Sequence, residues 1–215
     1  LTDDASGRYR AGDLQSIHNA EGHITEFLEY DGNGRLTKIR DANGVINSFS
    51  YHPRGWPASV SFDGVKTLFT YDNVGNLIRT ISHDGSHVDF RYDAAHRLTG
   101  ITDSQGNRIE YTLDPDGNRI EENTFDHNNA LRRQLSRTFS SVGRLEQLID
   151  STGHSISYTH DGNGSLISTR DENLHSTIYE YDALDRLARS VDPLMGETFM
   201  AYDARDNLIR VTDPQ

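Results

Sequence analysis

Apolar and polar side chains alternate along short segments of this chain. Val88, Phe90 and Tyr92 are separated by Asp89 and Arg91. The same alternation recurs at Ile109, Tyr111 and Leu113, and again at Ile156 and Tyr158. A period of two places successive side chains on opposite faces of a β-strand. We therefore predict strands with one buried face and one solvated face, in a register that a one-residue slip would disrupt.

Turn residues separate these predicted strands at regular places. A tyrosine ends one strand, and Asp, Gly and Leu follow it at fixed distances, as in Tyr30-Asp31-Gly32-Asn33-Gly34-Arg35-Leu36. Asp hydrogen-bonds nearby backbone N–H groups, and Gly adopts a positive φ at little steric cost, so a hairpin turn is expected here. A second turn is predicted at Asn43-Gly44, Asp63-Gly64, Asp84-Gly85, Gln105-Gly106 and Thr152-Gly153. Each unit therefore contains two strands and two turns.

This unit repeats along the chain. The tyrosine position falls at Tyr9, Tyr30, Tyr51, Tyr71, Tyr92, Leu113, Phe139, His160, Tyr181 and Tyr202. The spacings are 21, 21, 20, 21, 21, 26, 21, 21 and 21 residues. A four-stranded propeller blade needs about 40–45 residues and alternating units, and a leucine-rich repeat has one strand per unit. Successive units here are equivalent and carry two turns, which favours a tandem hairpin array.

The array has one irregular interval and a short N-terminal segment outside the repeats. The 26-residue interval predicts a hairpin with an enlarged tip near residues 121–138, with a short helix over residues 129–137 as the alternative. Residues 1–8 are expected to be frayed. Residues 9–215 are expected to form about nine to ten units. Because the sequence opens with Leu1 and no leader, we expect a fragment of a longer protein.

Composition excludes several classes of protein. The net charge of -12 disfavours nucleic acid and anionic membranes. The absence of cysteine removes disulfides and thiolate metal sites. No apolar run approaches the roughly 18–20 residues that span a bilayer, so no membrane insertion by this segment is expected.

Candidate chemistry is sparse. The segments beginning at Asp114 and Asp161 resemble calcium loops. Counted from Asp114, the place of the bidentate Glu is occupied by Phe125, and turn-capping Asp is favoured for both segments. His83 and His87 have no evident third ligand. The tyrosines either pack on neighbouring hairpins or stack on sugars, and packing is favoured. We assign no catalytic, cofactor-binding or metal-ligating residue, expect no cofactor and expect no enzyme.

The unit Tyr-Asp-x-x-Gly-Arg-Leu resembles the YD or Rhs repeat family, which includes bacterial polymorphic toxin shells and teneurin-like repeats. The match is weaker at Tyr51-His52-Pro53-Arg54-Gly55-Trp56-Pro57 and at Phe139-Ser140. The resemblance implies an all-β fold, in which tandem antiparallel β-hairpins form one long curled, spiralling sheet, a partial YD/Rhs shell. The family's self-cleaving segment has no convincing copy, because Asp192-Pro193-Leu194-Met195-Gly196 falls inside a repeat.

The resemblance also implies a function. The chain is expected to be a structural shell segment of a large secreted bacterial toxin or effector, located outside the cell or at its surface and encapsulating a C-terminal toxin. Its partners would be the remainder of the parent shell and the enclosed toxin cargo. The alternative is a repeat module that binds carbohydrate or a cell-surface partner. Open strand edges also predict self-association through an edge.

Overall fold

The computed structural model describes Arg10 and residues 12–213, and this part of the chain contains nineteen β-strands and no helix. The expected all-β fold of tandem antiparallel hairpins is confirmed. The segment expected to be frayed, residues 1–8, and the weak repeat copy at Tyr9 lie outside the described residues. No helix in the described part is long and apolar enough to cross a membrane.

The chain divides into two compact units, Leu1–Gly106 and Asn107–Gln215. The first contains β1 (Ser16–His18), β2 (Ile24–Tyr30), β3 (Leu36–Arg40), β4 (Ile46–Tyr51), β5 (Pro57–Phe62), β6 (Val65–Tyr71), β7 (Leu77–Ile81), β8 (His87–Tyr92) and β9 (Leu98–Asp103). The second contains β10 (Arg108–Leu113), β11 (Arg119–Phe125), β12 (Leu131–Phe139), β13 (Leu145–Asp150), β14 (Ser155–His160), β15 (Leu166–Asp171), β16 (Ser176–Tyr181), β17 (Leu187–Val191), β18 (Glu197–Tyr202) and β19 (Leu208–Thr212). Within each unit, every strand pairs antiparallel with the next one along the chain.

A β-bulge recurs where the tyrosine position of a unit pairs with the residue six positions later, which is a leucine in most units. Tyr92 pairs with Leu98, whereas the preceding residue pairs with Gly100, so Thr99 is the additional residue. The same shift occurs at Tyr71 and at Tyr181. A bulge of this kind bends the strand and increases its local twist. It also keeps the tyrosine and the leucine on one face of the hairpin.

Most of the turns share one five-residue geometry. In the turn that begins at Asp31, its N–H donates to the Arg35 carbonyl oxygen at 2.8 Å, and the Gly34 N–H donates back to the Asp31 carbonyl oxygen at 2.9 Å. The fourth residue has a positive φ, 76° at Gly34. The predicted second turns are present as well, and the one at Asp63-Gly64 is a two-residue connection between paired strands.

The predicted separation into one buried and one solvated face requires correction. Among the described residues only Ser59, Gly100, Leu135 and Val191 are buried. The face that carries the tyrosines and leucines is half-buried, because within each unit the described strands contact only their neighbours along the chain. The opposite face is not simply solvated, since charged side chains pair across strands there. Arg189, for example, contacts Glu180 at 2.5 Å in direct register.

The enlarged tip predicted near residues 121–138 is wrong, and so is the alternative helix over residues 129–137. Those residues form most of β11 and β12, joined by a five-residue turn of the common type over residues 126–130. Asn129 supplies the positive φ of 65° that Gly supplies elsewhere. The five additional residues therefore lengthen the two strands of this hairpin and leave its turn unchanged, which preserves the backbone pairing that a large loop would lose.

Candidate functional site

We call the turns that directly follow the tyrosine position the tyrosine turns, and the others the return turns. In the tyrosine turn 182–186, Oδ1 of Asp182 accepts the backbone N–H groups of Leu184 and Arg186 at 2.9 and 3.1 Å. Its Oδ2 accepts Nε of Arg186 at 2.8 Å. The first-position aspartate is therefore a turn cap.

The aspartates that the sequence singled out as calcium candidates serve the same purpose. Oδ1 of Asp114 accepts the Asn118 N–H at 2.8 Å, and Oδ1 of Asp161 accepts the Gly164 N–H at 2.8 Å. The turn-capping interpretation is confirmed at both positions. Across residue 10 and residues 12–213, no group of three or more His, Cys, Asp or Glu side chains is arranged to hold a metal ion.

Capping also changes the acidity of these carboxyl groups. The Arg186 side chain, which donates to Asp182, lowers the pKa of that carboxyl group from its usual value. In the return turn 150–154, the Thr152 hydroxyl donates to Asp150, and this contact with two backbone N–H groups lowers the pKa of Asp150 to about 2. Both carboxyl groups are therefore stabilised in the ionised form.

Acid should weaken the turns. Since the folded pKa of Asp150 lies below its unfolded value, its stabilising effect is complete above about pH 5 and is lost as the pH falls from about 4 towards 2. We expect the urea midpoint of unfolding to be constant from about pH 5 to 7 and to fall below about pH 4. In Asp150→Asn the midpoint should be lower at neutral pH and should fall less steeply in acid. Equal acid dependence of the two proteins would contradict this assignment.

Tyrosine hydroxyl groups link successive hairpins within each unit. Five of them donate to the carbonyl oxygen of an earlier leucine, which lies fifteen residues before the tyrosine in four pairs and sixteen residues before it at Tyr30. The pairs are Tyr30 to Leu14 at 2.6 Å, Tyr51 to Leu36 at 2.8 Å, Tyr92 to Leu77 at 3.0 Å, Tyr181 to Leu166 at 2.9 Å and Tyr202 to Leu187 at 2.9 Å. Hydroxyl groups held by the backbone in this way support packing between hairpins over sugar stacking at this position.

Arginines at the end of the tyrosine turns form a second link. Arg186 pairs with Asp182 at 2.7 Å, and its Nη1 donates to the carbonyl oxygen of Asp203 in the following tyrosine turn at 3.3 Å. Its guanidinium also lies 4.7 Å from the ring centroid of Tyr202. Arg35 makes the equivalent contacts with Asp31, with the His52 carbonyl and with the Tyr51 ring. One arginine thus caps its own turn and holds the next.

The turn 140–144 departs from this arrangement at three repeat positions. Ser140 replaces the aspartate, Phe139 the tyrosine before it, and His160 the tyrosine of the next unit. Arg144 has no carboxylate partner among the described residues, and it donates to the carbonyl oxygens of Asp161 at 2.6 Å and Gly162 at 3.4 Å. A cavity of about 380 Å³ lies beside it, lined by Ser140, Arg144, Glu146, Tyr158 and His160.

The histidines do not assemble into a site. Within the described residues, His83 and His87 share no third metal-ligating side chain. His154 and His175 instead end two return turns and lie 3.3 and 3.0 Å from the first-position carboxylates of those turns. Sequence reasoning missed the arginine links and the cavity. The replaced repeat positions Ser140 and His160 were the signal that could have located the cavity.

Comparisons with known proteins agree with this architecture. Residues 9–46, 30–66, 71–108, 92–128 and 181–215 match the model of the RHS Repeat family. These segments cover more than half of the chain. The chain therefore belongs to the RHS repeat family.

Individual relatives are more distant. Double-stranded DNA deaminase toxin A of Burkholderia cenocepacia (strain H111) is 25% identical over 109 residues, which are 49% of this chain and 8% of that protein. A crystal structure of TcdB2-TccC3 matches with a TM-score of 0.63 and 15% identity, over 93% of this chain and 14% of that one. The Tc holotoxin pore of Photorhabdus luminescens, with mutated TccC3, matches with a TM-score of 0.50 and 15% identity, over 92% and 13%. The chain thus spans less than a sixth of each of these proteins.

Proposed function

We propose that the chain is a shell segment of a large secreted bacterial Rhs-repeat toxin or effector, and that it helps to enclose a C-terminal toxin. The observation that carries the proposal is the uninterrupted run of hairpins within each unit, held turn to turn by tyrosine and arginine side chains. Such links stiffen a single layer of sheet that has almost no buried core. A stiff thin wall can confine another polypeptide without binding it chemically.

The comparisons support the association with toxins. The family match covers most of the repeat array, a relative bears the name of a toxin, and the TcdB2-TccC3 structure has a similar fold. We propose a structural and not an enzymatic role for this segment. The proposed partners are the rest of the parent shell and the toxin cargo, and the proposed location is outside the bacterial cell or at its surface.

Protection of the cargo from protease tests the proposal. The full-length parent protein is treated with protease, and cleavage of the region C-terminal to this chain is followed over time. We expect protection in the wild type and faster cleavage in Gly75→Ala, which should loosen the wall. Gly85→Ala is the matched control and should protect nearly as well as the wild type. Cleavage of the wild-type C-terminal region as fast as that of the same region expressed alone would contradict enclosure.

Self-association is proposed through the last strand. β19 pairs with β18 and has no second partner strand among the described residues of its unit. Leu208, Ile209 and Val211 are 53%, 64% and 50% exposed. An unpaired strand with apolar side chains is a template for another chain. Sedimentation of the isolated chain should show concentration-dependent oligomers that Ile209→Lys reduces, and a monomer at all concentrations would contradict the proposal.

A further inference from the structure

The arginine of a tyrosine turn normally has a carboxylate from its own turn, and Arg144 has none. In the regular turn 31–35, Nε of Arg35 donates to Oδ2 of Asp31 at 2.7 Å, and Nη1 reaches the next turn. Arg144 keeps the second set of contacts through Nη1 and Nη2, which donate to Asp161 and Gly162. Its Nε, which meets a carboxylate in the regular turns, has no hydrogen-bond acceptor among the described residues.

Backbone donors of this turn are also weakly satisfied. Oδ1 of Asp31 accepts the N–H groups of the third and fifth turn residues at 2.9 and 3.0 Å. The shorter and neutral Ser140 side chain accepts the corresponding groups of Val142 and Arg144 at 3.4 and 3.2 Å. A hydroxyl oxygen at these distances is a weaker acceptor than a carboxylate. The turn thus contains two N–H groups with a weak acceptor and a guanidinium whose Nε has no acceptor among the described residues.

Space for a ligand exists beside Ser140 and Arg144. In regular units a tyrosine ring lies under the guanidinium, with Tyr51 centred 4.6 Å from Arg35. Here the smaller His160 takes the place of that tyrosine, and the cavity of about 380 Å³ opens beside Ser140 and Arg144. This volume lies within the range of about 300–1,000 Å³ typical of small-ligand sites. Tyr158 and His160 supply a partly apolar wall.

We propose that this cavity, which we call the Arg144 pocket, binds a carboxylate-bearing ligand in place of the aspartate that other tyrosine turns contain. The carboxylate accepts from Nε of Arg144 and from the backbone N–H groups of Val142 and Arg144. Glu146 is exposed at the rim and makes no ion pair with Arg144 among the described residues. Its negative charge disfavours a doubly charged phosphate more than a singly charged carboxylate. The proposal goes beyond the shell function, because a wall needs no ligand.

The choice of probe distinguishes a free carboxylate from the carboxylate of an acidic side chain in a polypeptide. Acetate represents a free carboxylate, and a blocked Gly-Glu-Gly peptide represents an acidic side chain of a polypeptide. Backbone N–H signals of the turn 140–144 are followed by NMR during titration of the whole chain with each probe. Tighter binding of the peptide than of acetate would assign a polypeptide source, and equal binding would assign a free carboxylate. Blocked Gly-Gln-Gly should not bind, and inorganic phosphate should bind no more tightly than acetate.

Substitutions of single residues test whether the carboxylate binds in the Arg144 pocket. Arg144→Gln should weaken acetate binding at least about tenfold, since a charge-assisted hydrogen bond contributes roughly that factor. Ser140→Asp should do the same while raising the urea midpoint, because it restores the internal carboxylate of the repeat. Glu146→Gln should strengthen binding, and Arg35→Gln should leave it unchanged. The proposal fails if neither carboxylate probe shifts these signals, or if Ser140→Asp and Arg144→Gln bind acetate as the wild type does.

Discussion

Replacement of Gly75 by alanine should lower the free energy of unfolding by about 2–4 kcal/mol. The backbone at Gly75 has a φ of 107°, and a Cβ atom there would lie 2.5 Å from Cζ2 of Trp56. The indole cannot easily move away, because it is stacked on His52 at 5.3 Å and packed against Tyr71 at 5.2 Å. The loss in the free energy of unfolding therefore has two contributions, the strain in the backbone and the collision with the Trp56 indole.

Gly85→Ala separates these two contributions. Gly85 also has a positive φ, 84°, but an added Cβ would meet nothing within 4 Å. Its replacement should cost only the backbone term, about 1 kcal/mol. Chemical denaturation followed by circular dichroism measures both variants. Equal losses of stability in the two variants would mean that the indole moves aside and that its ring contacts do not hold Trp56 in place.

Removal of the Tyr92 side chain should have the second-largest effect. We expect Tyr92→Ala to lower the free energy of unfolding by about 1.5–3 kcal/mol, below the value for a fully buried aromatic residue because Tyr92 is only half-buried. Part of the loss is the hydroxyl contact with the Leu77 carbonyl oxygen at 3.0 Å. Tyr92→Phe removes that contact alone and should cost about 1 kcal/mol.

Tyr158→Phe is the matched control for the hydroxyl group. Among the described residues the Tyr158 hydroxyl makes no hydrogen bond, so its removal should change stability by less than about 0.5 kcal/mol. Equilibrium urea unfolding of the three variants and the wild type provides the measurement. A loss below about 0.5 kcal/mol in Tyr92→Ala would show that the tyrosine position does not hold the hairpins together.

Strand positions and most turns could be predicted from the sequence because they depend on local chemistry. Alternation at Val88, Phe90 and Tyr92 fixes a strand, and the Asp31 to Gly34 segment fixes a turn, without reference to distant residues. The bulge beside Leu98 could not be predicted in the same way, since it inserts one residue without a distinctive side chain. The hydroxyl contact from Tyr92 to Leu77 joins successive hairpins, and no local pattern specifies it.

The incorrect tip near residues 121–138 has a specific cause. Gly marks most turns in the sequence, but Asn129, Leu174 and Met195 occupy the same positive-φ position with values of 65°, 68° and 72°. Asp126 at the first position was the usable signal, since it caps this turn as Asp150 caps its own. A first-position aspartate is therefore a better marker of a turn in this chain than glycine.

The Arg144 pocket was overlooked for the opposite reason. Phe139-Ser140 is a weak copy of the repeat in the sequence, and it is also, with His160, the place where the shared contacts are absent. In a repeat array the consensus residues hold the scaffold together. Departures from the consensus therefore mark the positions that are free to acquire another role.

Within each unit, pairing of every strand with its immediate neighbours along the chain has a kinetic consequence. Each hairpin in a unit closes over a short stretch of polypeptide, so little loop entropy opposes its formation. A unit can therefore grow by addition of one hairpin to the last while the polypeptide is still being synthesised, and amide exchange should be fastest at its ends. Assembly in that order completes each sheet progressively, from the hairpin made first to the hairpin made last.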